Sequence, residues 1–353
     1  MISSNFSPNI FWTTNLNKKE IPMKKLLLPL MILLVMALAA CGNNNTNNAG
    51  SSASGSPAES AASSPSGSAA SSPANTSESG AQTGTITYQS ENGPVEVPAN
   101  PQRVIVLSSF AGDVMKFGVH LVGVDSWSKL NPRFQDQLKD VAEVSDEDLE
   151  KIIELKPDLI IGLSNIKNVD KLKQIAPTVT YTYGKVDYLT QILEIGKLLN
   201  KEKEAQAWID DFKARAEQAG EEIKAKIGAD KTVSVIESYE KQLYVYGDHW
   251  GRGTEILYQA MKLPMPEKVK AMTDKDGYYA LSSEVLPEYA GDYVILSKSD
   301  GSDTSFQQTE TYKNLPAVKD GHVYEVNMNE FYFNDALTLD YQLQFFIDHF
   351  LGQ

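Results

Sequence analysis

Regular patterning begins near residue 103, where "RVIVL", Arg103 to Leu107, is a β-branched apolar run that predicts a buried strand. A short helix from Gly112 to Phe117 should follow it, and then the strand "LVGV" from Leu121. "DLEKIIELKPDLIIG" reads as a helix stopped by Pro157 and a buried strand from Leu159 to Ile161. This alternation argues for parallel α/β units. Between Glu202 and Gly228 the period changes. Apolar residues fall at Ala205, Trp208, Phe212, Ala216, Ala219, Ile223 and Ile227, always three or four apart, with charge elsewhere. That is one long amphipathic helix with Gly228 as its stop, spanning roughly 40 Å at about 1.5 Å per residue. Beyond it the α/β pattern resumes with "TVSVIE", "QLYVYG", "TEILYQAMKL", "DYVILS", "GHVYEV" and a helix from about Ala336. The expected fold is α/β: two lobes with central, mostly parallel sheets, joined by one long helix. The lobes should occupy residues 84–200 and 229–353, with the connecting helix at 201–228.

Ahead of this body the patterning disappears. From Gly42 to about Thr83 the chain is Asn, Ser, Ala, Gly and Pro with almost no apolar bulk, too little to offset its ordering entropy, so it reads as a tether. Before it, Lys24 and Lys25 precede "LLLPLMILLVMALAA", which ends directly on Cys41. Positive charge, a short apolar core and small residues at a cut site describe a secretory signal peptide. The run from Leu26 to Ala40 falls short of the ~20 residues that a bilayer span needs, and no basic stop-transfer segment follows it. "LAAC" resembles the lipobox of bacterial lipoproteins, which implies cleavage before Cys41 and diacylation of its sulfur. Residues 1–40 are then a signal peptide and 41–83 the lipid anchor and tether, placing the body at the outer face of the cytoplasmic membrane. Translation starts at Met1 or at Met23; the residues between add nothing to the signal.

Composition narrows the chemistry. A net charge of -14 makes nucleic acid and anionic lipid surfaces poor partners for the body, while 16 Tyr, 12 Phe and 4 Trp support a real core. Cys41 is the only cysteine, so no intramolecular disulfide can form. His120, His249, His322 and His349 are scattered without metal-ligand spacing, so neither a resident metal nor a cofactor is expected. "SWSK" places Ser126 and Lys129 in the S-x-x-K pattern of penicillin-interacting enzymes, but the companion S-D-N and K-T-G motifs are missing. A secreted lipoprotein enzyme using Ser126 and Lys129 is therefore a distant alternative to a non-enzymatic role.

One loop concentrates binding chemistry. "YVYGDHWGRG", Tyr244 to Gly253, lies between the strand "QLYVY" and the helix "TEILYQ", and such loops line the crevice of open α/β sheets. Gly247, Gly251 and Gly253 should let the backbone turn sharply and approach a bound molecule, so that Tyr244, Trp250 and Arg252 converge. The bland alternative has Trp250 capping the core and Arg252 pairing with a surface acid. A faint repeat links the halves. Glu150 stands eight residues before Asp158, which opens "LIIG", and Glu284 stands eight before Asp292, which opens "YVIL". Both glutamates should lie near a helix start, as helix-capping residues or as a matched pair of surface anions.

Four stretches together resemble the hydroxamate-siderophore-binding lipoproteins of bacterial iron ABC importers, of the ferrichrome and ferrioxamine type. They are "TYQSENGPVEVPANPQRVIVL", "LEKIIELKPDLIIG", "YVYGDHWGRG" with "EILYQAMKL", and "YAGDYVIL…LPAVKDGHVYEVN…FYFNDALTLD". The resemblance runs from about Thr85 to near the C-terminus. It implies two lobes with little hinge motion, a shallow cleft, and contact of the iron chelate by the residues matching Tyr244, Trp250 and Arg252. Tyr332 and Phe110 are expected to contribute less, Phe110 from the other lobe. It also implies that Glu150 and Glu284 form salt bridges with arginines of an ABC permease, and a monomeric receptor whose ligand is a ferric siderophore. Three hydroxamates around Fe³⁺ give a neutral chelate, which one Arg and several rings can hold. A tris-catecholate, at -3, would call for several basic residues. Haem, ferric catecholate or cobalamin remain the alternative ligands. The chain departs from the family pattern at His249, where asparagine is more usual, and at Phe331 and Phe333, where a tryptophan or another tyrosine would sit.

Overall fold

A computed structural model describes residues 84–352. The expected signal segment, Cys41 and the tether lie outside the described residues. The first element is a hairpin that the patterning did not announce. Strands β1 (Thr85–Ser90) and β2 (Gly93–Pro98) pair antiparallel around the two-residue turn Glu91-Asn92. Tyr88 donates its hydroxyl to Glu194 at 2.9 Å and accepts from the Tyr181 hydroxyl at 3.1 Å, which pins the hairpin on the first lobe.

That lobe is a five-stranded sheet of β3 (Val104–Val106), β4 (Leu121–Val124), β5 (Ala142–Glu143), β6 (Leu159–Leu163) and β7 (Thr178–Tyr181). Their order is β5-β4-β3-β6-β7 and every pairing is parallel. Central strands β3, β4 and β6 are buried throughout, the reason their sequences are unbroken apolar runs. The helix Leu149–Leu155 ends on Lys156 in the left-handed region, φ 46°, just ahead of Pro157. Pro157 cannot continue a helix, so chain direction changes there.

The second lobe carries β8 (Val233–Tyr239), β9 (Gln242–Tyr246), β10 (Tyr278–Leu281), β11 (Tyr293–Lys298) and β12 (Val323–Asn327) in the order β10-β9-β8-β11-β12. Only the β8–β11 and β11–β12 pairings are parallel; β9 runs antiparallel to both of its neighbours. The resumed α/β alternation is thus interrupted, for a simple reason. Tyr239 pairs with Gln242, so Glu240 and Lys241 alone connect β8 to β9, and two residues cannot make a parallel crossover. The segment Glu255–Ala260 after the loop winds as a π-helical turn, where an α-helix was expected.

The connecting helix runs Glu202–Ile227 with Gly228 as its cap, and Ala205, Trp208, Phe212, Ala216, Ala219 and Ile223 are buried as their spacing requires. It is tied to the last helix, Ala336–Leu351, through one carboxylate. Asp340 accepts from Trp208 Nε1 at 3.0 Å, Arg215 Nη2 at 2.6 Å and Lys116 Nζ at 2.7 Å. Lys116 belongs to the helix Ala111–Lys116 of the first lobe, so Asp340 joins both lobes to the connecting helix.

The eight-residue repeat has a structural basis. Asp158 accepts the backbone N–H groups of Gln102 and Arg103, directly ahead of β3. Asp292 accepts the N–H and hydroxyl of Thr232, directly ahead of β8, both at 2.9 Å. Each aspartate therefore fixes the entry of the central strand beside its own.

Candidate functional site

Glu237 interrupts the buried run of β8 and is 1% exposed. A carboxylate there is costly unless fully paired. It is: Arg252 Nε donates to it at 3.1 Å, Arg252 Nη2 at 3.0 Å, the Tyr246 hydroxyl at 2.8 Å and the Ser297 hydroxyl at 2.8 Å. Arg252 is itself buried, with its Nη1 donating to the Trp250 carbonyl at 3.2 Å. Its backbone is left-handed, φ 59°, and its N–H donates to the Phe331 carbonyl at 2.8 Å. The guanidinium carbon lies 4.7 Å from the Tyr246 ring centre and 4.4 Å from that of Tyr332. Burial alone would lower the guanidinium pKa, but the Glu237 charge and hydrogen bond together with Tyr246 and Tyr332 outweigh it and hold Arg252 well above its ordinary value. Arg252 is therefore a fixed cation whose partner is a buried acid, not the surface acid of the bland alternative.

The glycines of the loop do not make room for a ligand. A Cβ on Gly251 would stand 2.5 Å from the Tyr332 carbonyl oxygen, one on Gly253 2.6 Å from the Phe346 ring, and one on Gly247 2.7 Å from the Thr273 hydroxyl. They let the loop press against the protein itself, and Gly251 and Gly253 also have positive φ. Glu255 completes the clamp by accepting from Gly251 N at 3.0 Å and from Asn334 Nδ2 at 2.9 Å.

Rings extend the cluster. Trp250 lies 5.1 Å from Tyr278, and Tyr278 lies 6.1 Å from Tyr244. Two contacts cross from the first lobe. Tyr183 meets Trp250 edge-on at 5.8 Å and donates its hydroxyl to the His249 carbonyl at 3.4 Å. Trp127 stacks on Tyr332 at 4.6 Å with planes 14° apart. Burial raises the Tyr183 and Tyr246 hydroxyls, so both remain protonated donors at neutral pH. The structure thus brings Tyr244, Trp250, Arg252 and Tyr332 into one aromatic cluster. Phe110 is set apart. It is buried, packs edge-on against Tyr181 at 5.5 Å, and lines a neighbouring cavity of about 440 Å³ between the lobes, with Asp113, Tyr183, Asp248, His249 and Glu255. Phe331 and Phe333 are core residues; Phe331 packs against Tyr341, Phe345 and Phe346.

Glu150 is the second residue of the helix Leu149–Leu155, and Glu284 sits in the turn before the 3₁₀ turn Leu286–Glu288. Both are exposed, and neither side chain makes a hydrogen bond or ion pair among the described residues. Lys129 does not activate Ser126; its ammonium donates to the Leu138 carbonyl at 2.5 Å. Among the described residues no group of three His, Cys, Asp or Glu side chains could hold a metal.

Sequence reasoning passed over Glu237, Tyr246, Tyr278, Tyr183 and Trp127. Glu237 did carry a signal: a lone charge in the buried run "TVSVIE" needs a buried partner. Trp127 lay inside "SWSK", a stretch weighed only for Ser126 and Lys129. Tyr183 and Tyr278 carried none, since their roles arise from contacts across the lobes or between strands.

Two lobes of this topology thus meet on one long helix, with an aromatic cluster at their junction. Residues 104–329 match the periplasmic binding protein family, and the chain belongs to that family. Similar to it is the "Iron(3+)-hydroxamate-binding protein FhuD" of Bacillus subtilis, 35% identical over 89% of this chain and 93% of that protein. Among solved structures, FhuD2 of Staphylococcus aureus with bound ferrioxamine B superposes with a TM-score of 0.68 and 37% identity, covering 71% of this chain and 99% of that one. A FhuD-fold periplasmic binding protein component of a Fep/Fec-like ferrichrome ABC transporter from Bacillus subtilis gives a TM-score of 0.70 at 34% identity, covering 75% and 100%.

Proposed function

We propose that this protein captures ferric hydroxamate siderophores and delivers them to an ABC permease. The observation that carries this reading is the Arg252–Glu237 pair set among rings, which gives a polar but electroneutral aromatic surface. A neutral ferric tris-hydroxamate presents oxygens for hydrogen bonds and apolar linkers for ring faces, and such a surface serves both. Relatives named for iron(3+)-hydroxamate binding, and one solved with ferrioxamine B, support the same substrate class. Iron travels as cargo inside the siderophore, so the protein needs no metal ligands of its own. Within this reading Tyr244, Trp250, Arg252 and Tyr332 contact the chelate, and Phe110 acts from the adjoining interlobe cavity. Glu150 and Glu284 meet permease arginines, lipid on Cys41 holds the monomeric receptor at the outer face of the membrane, and the chain has no catalytic role.

Titration with ferrioxamine, ferrichrome, ferric enterobactin, haem and cobalamin, followed by tryptophan fluorescence, tests the assignment. Saturable quenching by the hydroxamates at far lower concentration than by the other three is expected. Tighter binding of enterobactin, haem or cobalamin would overturn the substrate class.

A further inference from the structure

We propose that Glu237 determines the charge of the ligand that the cleft accepts: by neutralising Arg252 it selects uncharged chelates against anionic ones. This rests on the siderophore reading above and deepens it. An arginine among tyrosines and a tryptophan would ordinarily be an anion site. Here the buried carboxylate of β8 takes both Nε and Nη2 of the guanidinium, and the Tyr246 and Ser297 hydroxyls complete its hydrogen bonding. The pair is fixed from below by the sheet and from above by the Tyr332 ring, so the two charges cannot separate to meet a ligand. Neighbouring cations are compensated as well. Arg133 Nε lies 3.0 Å from Glu330 and its guanidinium sits over the Tyr341 ring, while Lys185 lies 3.2 Å from Glu91. An anionic chelate entering this region would lose water and find every one of these cations already committed to a carboxylate. A neutral chelate can still accept from the fixed donors. Glu237 touches no ligand in this scheme and acts through Arg252, as a positioning and charge-setting residue.

The test is a charge cycle read as an affinity ratio. Glu237→Gln keeps shape and an acceptor oxygen but leaves the Arg252 cation uncompensated. It should raise the affinity of a ferric tris-catecholate relative to that of a neutral ferric tris-hydroxamate by about tenfold or more. Arg252→Gln leaves the Glu237 anion and covers the case in which the first variant fails to fold. It should favour a ferric tris-hydroxamate bearing a cationic amine tail over a neutral cyclic one by about threefold or more relative to wild type. The double variant, again neutral, should return the catecholate-to-hydroxamate ratio to within about threefold of wild type. A merely structural Glu237 would weaken all chelates alike; unchanged ratios in both single variants overturn the proposal. If wild type binds hydroxamates and the ratios do not move, the inference alone falls. If wild type binds no hydroxamate, the functional reading falls with it.

Discussion

Trp250 and Arg252 combine rigidity with exposure in different measure: the Arg252 side chain is locked by Glu237, while Trp250 is half-buried and faces Tyr183 across the lobes. On the proposed function, a rigid cation beside a partly open indole would take up a chelate without much ordering cost. Trp250→Ala should therefore weaken ferric hydroxamate binding about thirtyfold or more, the ~2 kcal/mol typical of an aromatic anchor. Equilibrium dialysis is the safer measurement, because Trp127, stacked on Tyr332, would add its own fluorescence change to that of Trp250. Affinity within threefold of wild type would remove Trp250 from the site. Phe110→Ala should cost less, since its ring is buried against Tyr181 apart from the cluster. Trp250 and Arg252 were legible in sequence as members of one cluster because rings and a cation are gathered on a single glycine-broken loop. The carboxylate that commits Arg252 was harder to find, because Glu237 is 15 residues away along the chain and meets it only once β8 and β9 have paired. The glycines misled for a related reason: sequence reports that Cβ is absent, but not whether ligand or protein occupies the space.

Strand entry distinguishes the two acidic positions of the repeat. Asp292 is bound by Lys231 Nζ at 2.8 Å as well as by Thr232. Burial alone would raise its carboxyl, but these donors outweigh that and hold it down at about 2. With the folded pKa below the unfolded value, its contribution is present above about pH 4 and is lost as pH falls toward 2. Asp292→Asn should thus cost roughly 1 kcal/mol in urea denaturation at pH 7, a modest figure because the site is partly screened by solvent. At pH 2.5 most of that difference should be gone. A difference of the same size at both pH values would refute the charged-clamp account. Glu284, exposed in its turn, should tolerate alanine within about 0.5 kcal/mol. The repeat itself was visible as two spacings. That its aspartates clamp Arg103 and Thr232 was not, because the partner strand entries lie some sixty residues upstream. Strand direction shows the same limit: alternation gave the elements of the second lobe, while the two-residue link Glu240-Lys241 alone held the information that β9 must turn back.

Several contacts hold the lobes together without the ligand. Besides Asp340, the Ala336 N–H donates to Asp113 Oδ1 at 2.8 Å, and a Cβ on Gly112 would fall 1.6 Å from Asp335 Oδ1, so the helix starts at 111 and 336 abut closely. Burial raises the Asp113 carboxyl well above its usual range, with the Asp335 charge adding to it, and burial raises Asp335 to about 6. A raised folded-state pKa means that the native protein holds protons the unfolded chain has released, so stability from this pair falls as pH rises above about 4. Asp113→Asn keeps the acceptor for Ala336 and removes the proton, so it should raise Tm at pH 7 by roughly 2–4 °C and reduce the decline in Tm between pH 5 and 7. Equal declines in variant and wild type would refute this. On the proposed function, a body braced in this way should meet a permease with little change on ligand capture, and recognition would then depend on fixed surface groups. Glu150 and Glu284 fit that requirement, being exposed and without partners of their own among the described residues, one in each lobe. Charge pairs at such positions steer encounter and set register more than they add affinity. Glu150→Ala with Glu284→Ala should leave siderophore affinity within error, because neither carboxylate belongs to the aromatic cluster. The same double variant should fail to support growth on ferric hydroxamate as sole iron source, and lysine at both positions should be worse, since like charges would then face permease arginines. Normal transport by the double variant would reduce the two glutamates to surface residues beside a folding repeat. Loss of ligand binding would mean that the chelate reaches further over the lobe rims than the cluster around Arg252.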